Sequence, residues 1–324
     1  MTKSKLPKWL IALLCAGIIV CSIFPGVFAV PAIIMFSVLC VSCKPPLLIL
    51  IPLISLEASF LIGYSVDLPT AITFAVNSLS YVLPSVMIAI SYFHGYSKFL
   101  TVMNAAFGIF IYNIPIVITH FFLNHGAFTK ELLNAAIDGV IGDMTQEMLA
   151  QISAFEQGGE ALISYIQAME QAMYLSKPIL PAIFIVFSFI SAYIAVCSSN
   201  GILKALKIIE KKRYVLMPPW QLGIVFFACA FVNTFAKSFS FFFVITTSVQ
   251  IILIPIYVIV AYSLAYGAIL KATNNRTVSV IILICAIFVT FSPIIYNLLY
   301  LIGCSYSIIN GIKSKHNNSK GGTL

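Results

Sequence analysis

Pro45-Pro46-Leu-Leu-Ile-Leu-Ile-Pro52-Leu-Ile-Ser55-Leu-Glu57-Ala-Ser59-Phe-Leu-Ile-Gly63-Tyr64 is a run of twenty residues with one charged side chain. As a helix it has the length that crosses the hydrocarbon of a bilayer, about 20 apolar residues. Comparable runs lie to either side, at 9–25, 27–43, 69–93, 99–123, 178–200, 217–236, 238–263 and 278–303. The first two meet at Pro25-Gly26, a turn signal, and the seventh and eighth are parted by Lys237. Across all 324 residues, 61% are apolar and 9% charged. A soluble domain carries about 25% charged residues, so a water-soluble fold, a disordered chain and a disulfide scaffold are all excluded. The expected fold is all-α, a polytopic transmembrane bundle of about nine spans.

The net charge of +8 suggests nucleic acid until the charges are located. Seven of the ten acids (Glu131, Asp138, Asp143, Glu147, Glu156, Glu160 and Glu170) fall in 124–177, beside only Lys130 and Lys177. The remaining positive charges sit mostly in short loops between apolar runs, where they set membrane orientation and not nucleic-acid affinity. With the N-terminus in the cytoplasm, twelve of the eighteen Lys and Arg residues lie inside, including the cluster Lys204, Lys207, Lys211, Lys212 and Arg213. The tail is the misfit: nine spans would leave Lys313, Lys315 and Lys320 outside. The apolar start, flanked by Lys3, Lys5 and Lys8, reads as an uncleaved first span in a bacterial plasma membrane.

The acidic stretch 124–177 is too patterned for a plain loop. Leu133, Ile137, Val140, Ile141, Met144, Met148, Ile152 and Phe155 step by three or four, and Gly158-Gly159 then separates a second piece from Glu160 to Tyr174. An extracytoplasmic amphipathic helical pair follows from that spacing.

Chemistry-bearing motifs are scarce. No P-loop, HExxH or GxSxG occurs, and all eight cysteines lie in or beside apolar runs, where cysteine packs as a small hydrophobe. Neither an enzyme activity, a metal site nor a cofactor is expected. Attention falls instead on polar residues within the spans. Glu57 is the one acid inside a run, and an acid at the bilayer centre costs about 2.5–3.5 kcal/mol, so it should face a cavity or a partner. Asn77, Tyr81, Asn113 and His120 share its depth in the outer half of their spans, so these five are the candidate ligand-binding residues. Pro115, between Asn113 and His120, would kink its helix and open the pocket. Asn233 and Gln250 are read as helix–helix bonding residues.

Three stretches resemble one family: the long polar insert after the fifth span, Lys177-Pro178-Ile-Leu-Pro181 opening the next span, and Met217-Pro-Pro-Trp220-Gln entering the seventh. Together they look like the YybS-like bacterial membrane proteins, a family of unknown function. That family in turn resembles the substrate-binding S components of energy-coupling-factor transporters, six-helix bundles with a ligand site near the outer face. The resemblance implies a six-span module at 1–213, with its insert at 124–177, and a three-span region with a short basic tail at 214–324. It also implies that any ATPase is a separate protein, and that Ala12 and Ala16 on span one resemble the small-residue face that meets a membrane partner. The expected function is a transport-type component that binds a small solute and lacks its own ATPase. The alternative is a structural or regulatory membrane protein acting through partner proteins. The bilayer, a small solute and a membrane or cytoplasmic protein are the expected partners, and nucleic acid is not.

Overall fold

The computed structural model describes residues 6–23, 25–43, 45–153, 177–209, 216–236, 240–289 and 293–320. Among them, regular structure is entirely helical: α1 (Lys8–Ile23), α2 (Pro25–Ser42), α3 (Pro45–Tyr64), α4 (Leu68–Ser78), α5 (Val82–Phe93), α6 (Lys98–His125) and α7 (Lys130–Ser153). A short 3-10 turn, Lys177–Ile179, then leads into α8 (Leu180–Ala205), α9 (Trp220–Phe235), α10 (Phe241–Thr273), α11 (Arg276–Val289) and α12 (Pro293–Lys320). Six stretches of the described residues are long and apolar enough to cross a membrane, and four shorter apolar helices among them accompany these. The chain is a multi-pass membrane protein.

Sequence signals set many of the boundaries. Pro25 and the pair Pro45-Pro46 open α2 and α3, where a missing N–H costs nothing. Asp67 caps α4 by accepting a bond from the Thr70 amide at 2.6 Å, and Ser97 caps α6 through the Leu100 amide at 3.2 Å. In water the apolar flanks of these helices would drive them together; in lipid they do not, so close contact and hydrogen bonding must hold the bundle. α2 lies at the centre of the first module, against α1, α5 and α8, with Ile33, Phe36, Val38 and Leu39 buried. Hydroxyls tie the neighbours: Ser85 Oγ donates to the Ile33 carbonyl at 2.9 Å, and Ser199 Oγ to the Ile34 carbonyl at 3.5 Å. Ser59 Oγ on α3 reaches the Ser22 carbonyl of α1 at 3.4 Å.

One apolar run is divided where a single span was expected. The run 69–93 turns between Ser78 and Val82, giving α4 and α5. Pro84 has no N–H to give the Ser80 carbonyl, and its ring would crowd that carbonyl in a continuous helix. The turn is closed instead by Ser80 N–H to the Asn77 carbonyl and Val82 N–H to the Leu79 carbonyl, each 3.0 Å. Within the run 278–303 the described residues form α11 up to Val289 and α12 from Pro293. The basic residues Lys313, Lys315 and Lys320 lie on α12, which continues to Lys320.

In the second module α9 and α10 form an antiparallel hairpin, joined by Asn233 Nδ2 donating to Gln250 Oε1 at 2.6 Å and Thr247 Oγ1 at 3.2 Å. α12 packs on both around the fully buried Tyr257. Gly303 passes so close to Tyr257 that a Cβ would collide with its carbonyl. Along α9, from Phe226 back to Trp220, the facing residues of α12 advance from Tyr300 to Gly311. The second half of α12 therefore returns to the end of the hairpin where α9 begins. α8 and α10 join the two modules.

Of the expected amphipathic pair, α7 is a helix, tied to the start of α8 by a Lys177–Asp138 ion pair. In its apolar stripe Leu133 and Ile137 are half-buried; Val140, Ile141, Met144, Met148 and Ile152 have side chains outside the described set. Phe155 and the second piece, 160–174, lie outside the described residues.

Candidate solute site

Two of the five candidate residues, Asn77 and Tyr81, lie at the interruption between α4 and α5. Tyr81 stands in it, 1% exposed, with its ring edge-on to Phe36 of α2 at 5.1 Å. Its hydroxyl donates to Ser55 Oγ of α3 at 3.1 Å, so three spans converge on this side chain. Asn77 lies in the last turn of α4 and is half-buried. Its carbonyl accepts from Ser80, but its side-chain amide has no hydrogen-bond partner among the described residues. The Tyr112 hydroxyl of α6 donates to the neighbouring Val76 carbonyl, which fastens α6 to the same turn.

The other three candidates do not join them. Glu57 is exposed on α3, because Ile51, Ser55 and Ser59 form the buried stripe and residue 57 lies on the opposite side of the helix. Its carboxylate has no ion pair or hydrogen bond among the described residues. Asn113 and His120 are also exposed, on α6; the His120 ring stands 6.3 Å from that of Phe121, edge to face. α6 runs unbroken through Pro115, so the expected opening there is replaced by the turn preceding Pro84. The groove between α9 and α10, lined by Phe231, Val232, Phe235, Ala236, Ser240 and Phe242, is apolar and lies in the other module.

Apart from the outward-facing Glu57, the charged side chains described near this region lie at the bundle ends. At the α3–α4 turn the Asp67 carboxyl is held below the usual carboxylate range by hydrogen bonds from the Thr70 hydroxyl and amide. At the opposite end of the first module the Lys98 ammonium sits 4.9 Å from the centre of the Tyr193 ring.

Several residues that build the site escaped the sequence reading. Ser55 and Ser59, four apart, mark the buried face of α3 and so identify Glu57 as its opposite; that spacing was available in the sequence. Asn104 donates to Ser91 at 3.1 Å and Tyr92 to the Val196 carbonyl at 3.4 Å, ordinary interhelical bonds with no motif. Asn200 of α8 is buried with no hydrogen-bond partner for its side-chain oxygen among the described residues. Those residues also contain no group of three His, Cys, Asp or Glu side chains placed to hold a metal ion. No family model, characterised protein or solved structure matches the chain.

Proposed function

We propose that this chain is a transport-type membrane component that binds a small solute at the α4–α5 interruption and has no ATPase or catalytic chemistry of its own. The observation that carries the reading is the interruption itself. Non-helical backbone at membrane depth survives only where protein or a water-lined cavity covers it, and broken spans are where transporters place solute. Asn77 offers an amide with no hydrogen-bond partner among the described residues, able to donate and accept at once. Tyr81 offers a hydroxyl fixed in place by Ser55. A polar, uncharged pair of this kind suits a neutral or zwitterionic solute.

The resemblance to YybS-like proteins and to S components agrees with this assignment. α1 to α6 and α8 contribute six passes, α4 and α5 sharing one, and Ala12 and Ala16 are exposed on the outside of α1, open to a membrane partner. With the N-terminus in the bacterial cytoplasm, the acidic insert lies outside. The apolar segments then amount to ten passes instead of nine, α11 and α12 each counting as one. Lys313, Lys315 and Lys320 fall on the cytoplasmic side with the basic cluster at 204–213.

Native mass spectrometry of the gently purified protein tests the reading. A stoichiometric small adduct is expected, retained in His120→Ala and lost in Asn77→Ala while the variant still elutes as a folded particle. An adduct that survives Asn77→Ala, or a clean unliganded mass, overturns it. The second reading, a structural or regulatory protein working through partners, is favoured by the outward-facing Glu57 and Asn113. It predicts an unliganded mass with a co-purifying protein.

A further inference from the structure

On α3 the residues facing away from the bundle form a seam of their own. Leu50, Leu53, Glu57, Leu61 and Tyr64 follow one another at steps of three and four, the spacing of a helix that packs along another helix. The four apolar members are 51–62% exposed, and Tyr64 is stacked on Phe60 at 6.0 Å. Glu57, at the middle of the seam, has no partner among the described residues. A carboxyl group at this depth in lipid requires one. The bonded serines Ser55 and Ser59 lie on the far side of the helix, so no rotamer of Glu57 brings it into the bundle interior.

We propose that the outward seam of α3 is the docking surface for a second copy of this chain, related by a two-fold axis along the membrane normal, with the two Glu57 carboxyl groups facing each other. Insertion gives every copy the same orientation, so that axis is the two-fold arrangement open to a pair in one bilayer. It sets identical residues of a self-facing helix opposite one another at equal depth. A carboxyl group accepts a hydrogen bond and, in its protonated form, donates one, so two that face each other are able to complement one another. The seam has no second charge to oppose the pairing, and Leu50, Leu53 and Leu61 pack on their counterparts. A single polar residue at the centre of an apolar helix seam also fixes register and stoichiometry, because any slip leaves it unpaired. A different protein would have to supply a donor at the depth of Glu57, whereas a second copy brings one by symmetry.

The test uses the full chain in liposomes at high dilution, with the fluorophore on its C-terminus counted by stepwise photobleaching. Wild type and Glu57→Gln, whose amide also donates and accepts, are expected to bleach predominantly in two steps. Glu57→Leu, which removes the only carboxyl group from the span, is expected to weaken association by roughly tenfold and shift the spots to one step. Independently, brief oxidation of Leu53→Cys should give a dimer band above that of the parent chain. Phe107→Cys, on the outward side of α6, should not. Single-step bleaching of the wild type overturns the proposal, as does a Glu57→Leu variant as dimeric as the parent. Cross-linking through residue 107 instead of 53, or a different protein bound at stoichiometry along α3, does the same.

Discussion

Asp67 shows how much one polar side chain contributes at a membrane-helix end. Its carboxylate accepts from Thr70 and satisfies an amide that α4 leaves open. Because that bonding lowers its pKa, the stabilisation is complete above the ordinary aspartate value and is lost as pH falls through the lowered one. Asp67→Ala should therefore lower the unfolding temperature in detergent at pH 7, and by progressively less as the pH falls through the lowered value. Asp67→Asn keeps the cap and loses the pH dependence. Within the membrane, Tyr81→Phe should cost about 0.6 kcal/mol, and Ser55→Ala should add little once Tyr81 is gone; a double-mutant cycle by reversible unfolding reads that coupling. The depth of the polar residues was legible in the sequence, since position along a run gives it directly. Their direction around the helix was legible only through neighbouring polar positions, as Ser55 and Ser59 mark the face opposite Glu57, and hydropathy did not give it. A span that is apolar on every face carries no moment to orient it, so Glu57 and Tyr81 read alike although one faces out and the other is fully enclosed.

Helix existence was legible from run length, and helix continuity was not. Pro31, Pro52, Pro115 and Pro255 all lie inside unbroken helices, so proline alone marks no interruption. At Pro84 the preceding Asn77 to Ser80 stretch has other bonds to make: Ser78 Oγ donates to the Ala75 carbonyl at 2.7 Å, and the turn amides find acceptors within three residues. α6 presses on this place through Gly108, where a Cβ would come within 3.0 Å of the Pro84 Cα. Gly108→Val should destabilise by about 1–3 kcal/mol. By contrast, Gly139→Ala on α7 meets nothing within 4 Å and should be neutral or stabilising by up to about 1 kcal/mol. Thermal unfolding of the two variants side by side checks both.

For the molecule as a whole, the positive charges oriented the first six passes in the sequence, and the tail refused to fit. On the ten-pass reading proposed above, α11 and α12 count separately, and the far half of α12 lies beside the start of α9. A reporter fused after Lys320 should accordingly signal the same side of the membrane as one fused before Lys8; signals from opposite sides would contradict the ten-pass reading. The contact that turns the chain back is tight, and Gly303→Ala should cost about 1–3 kcal/mol by forcing α12 off Tyr257. That cost should appear as easier proteolysis of the second module.

The divided fourth span has a consequence for how the protein is made. α4 and α5 have eleven and twelve residues, too few for either to hold a transmembrane position alone. The insertion machinery meets them as one apolar stretch and admits them together. The turn gains its partners only later, when α2, α3 and α6 close around it. A nascent chain released before α6 emerges would thus hold a polar turn open to lipid, which makes synthesis past His125 the step that commits the first module to its fold.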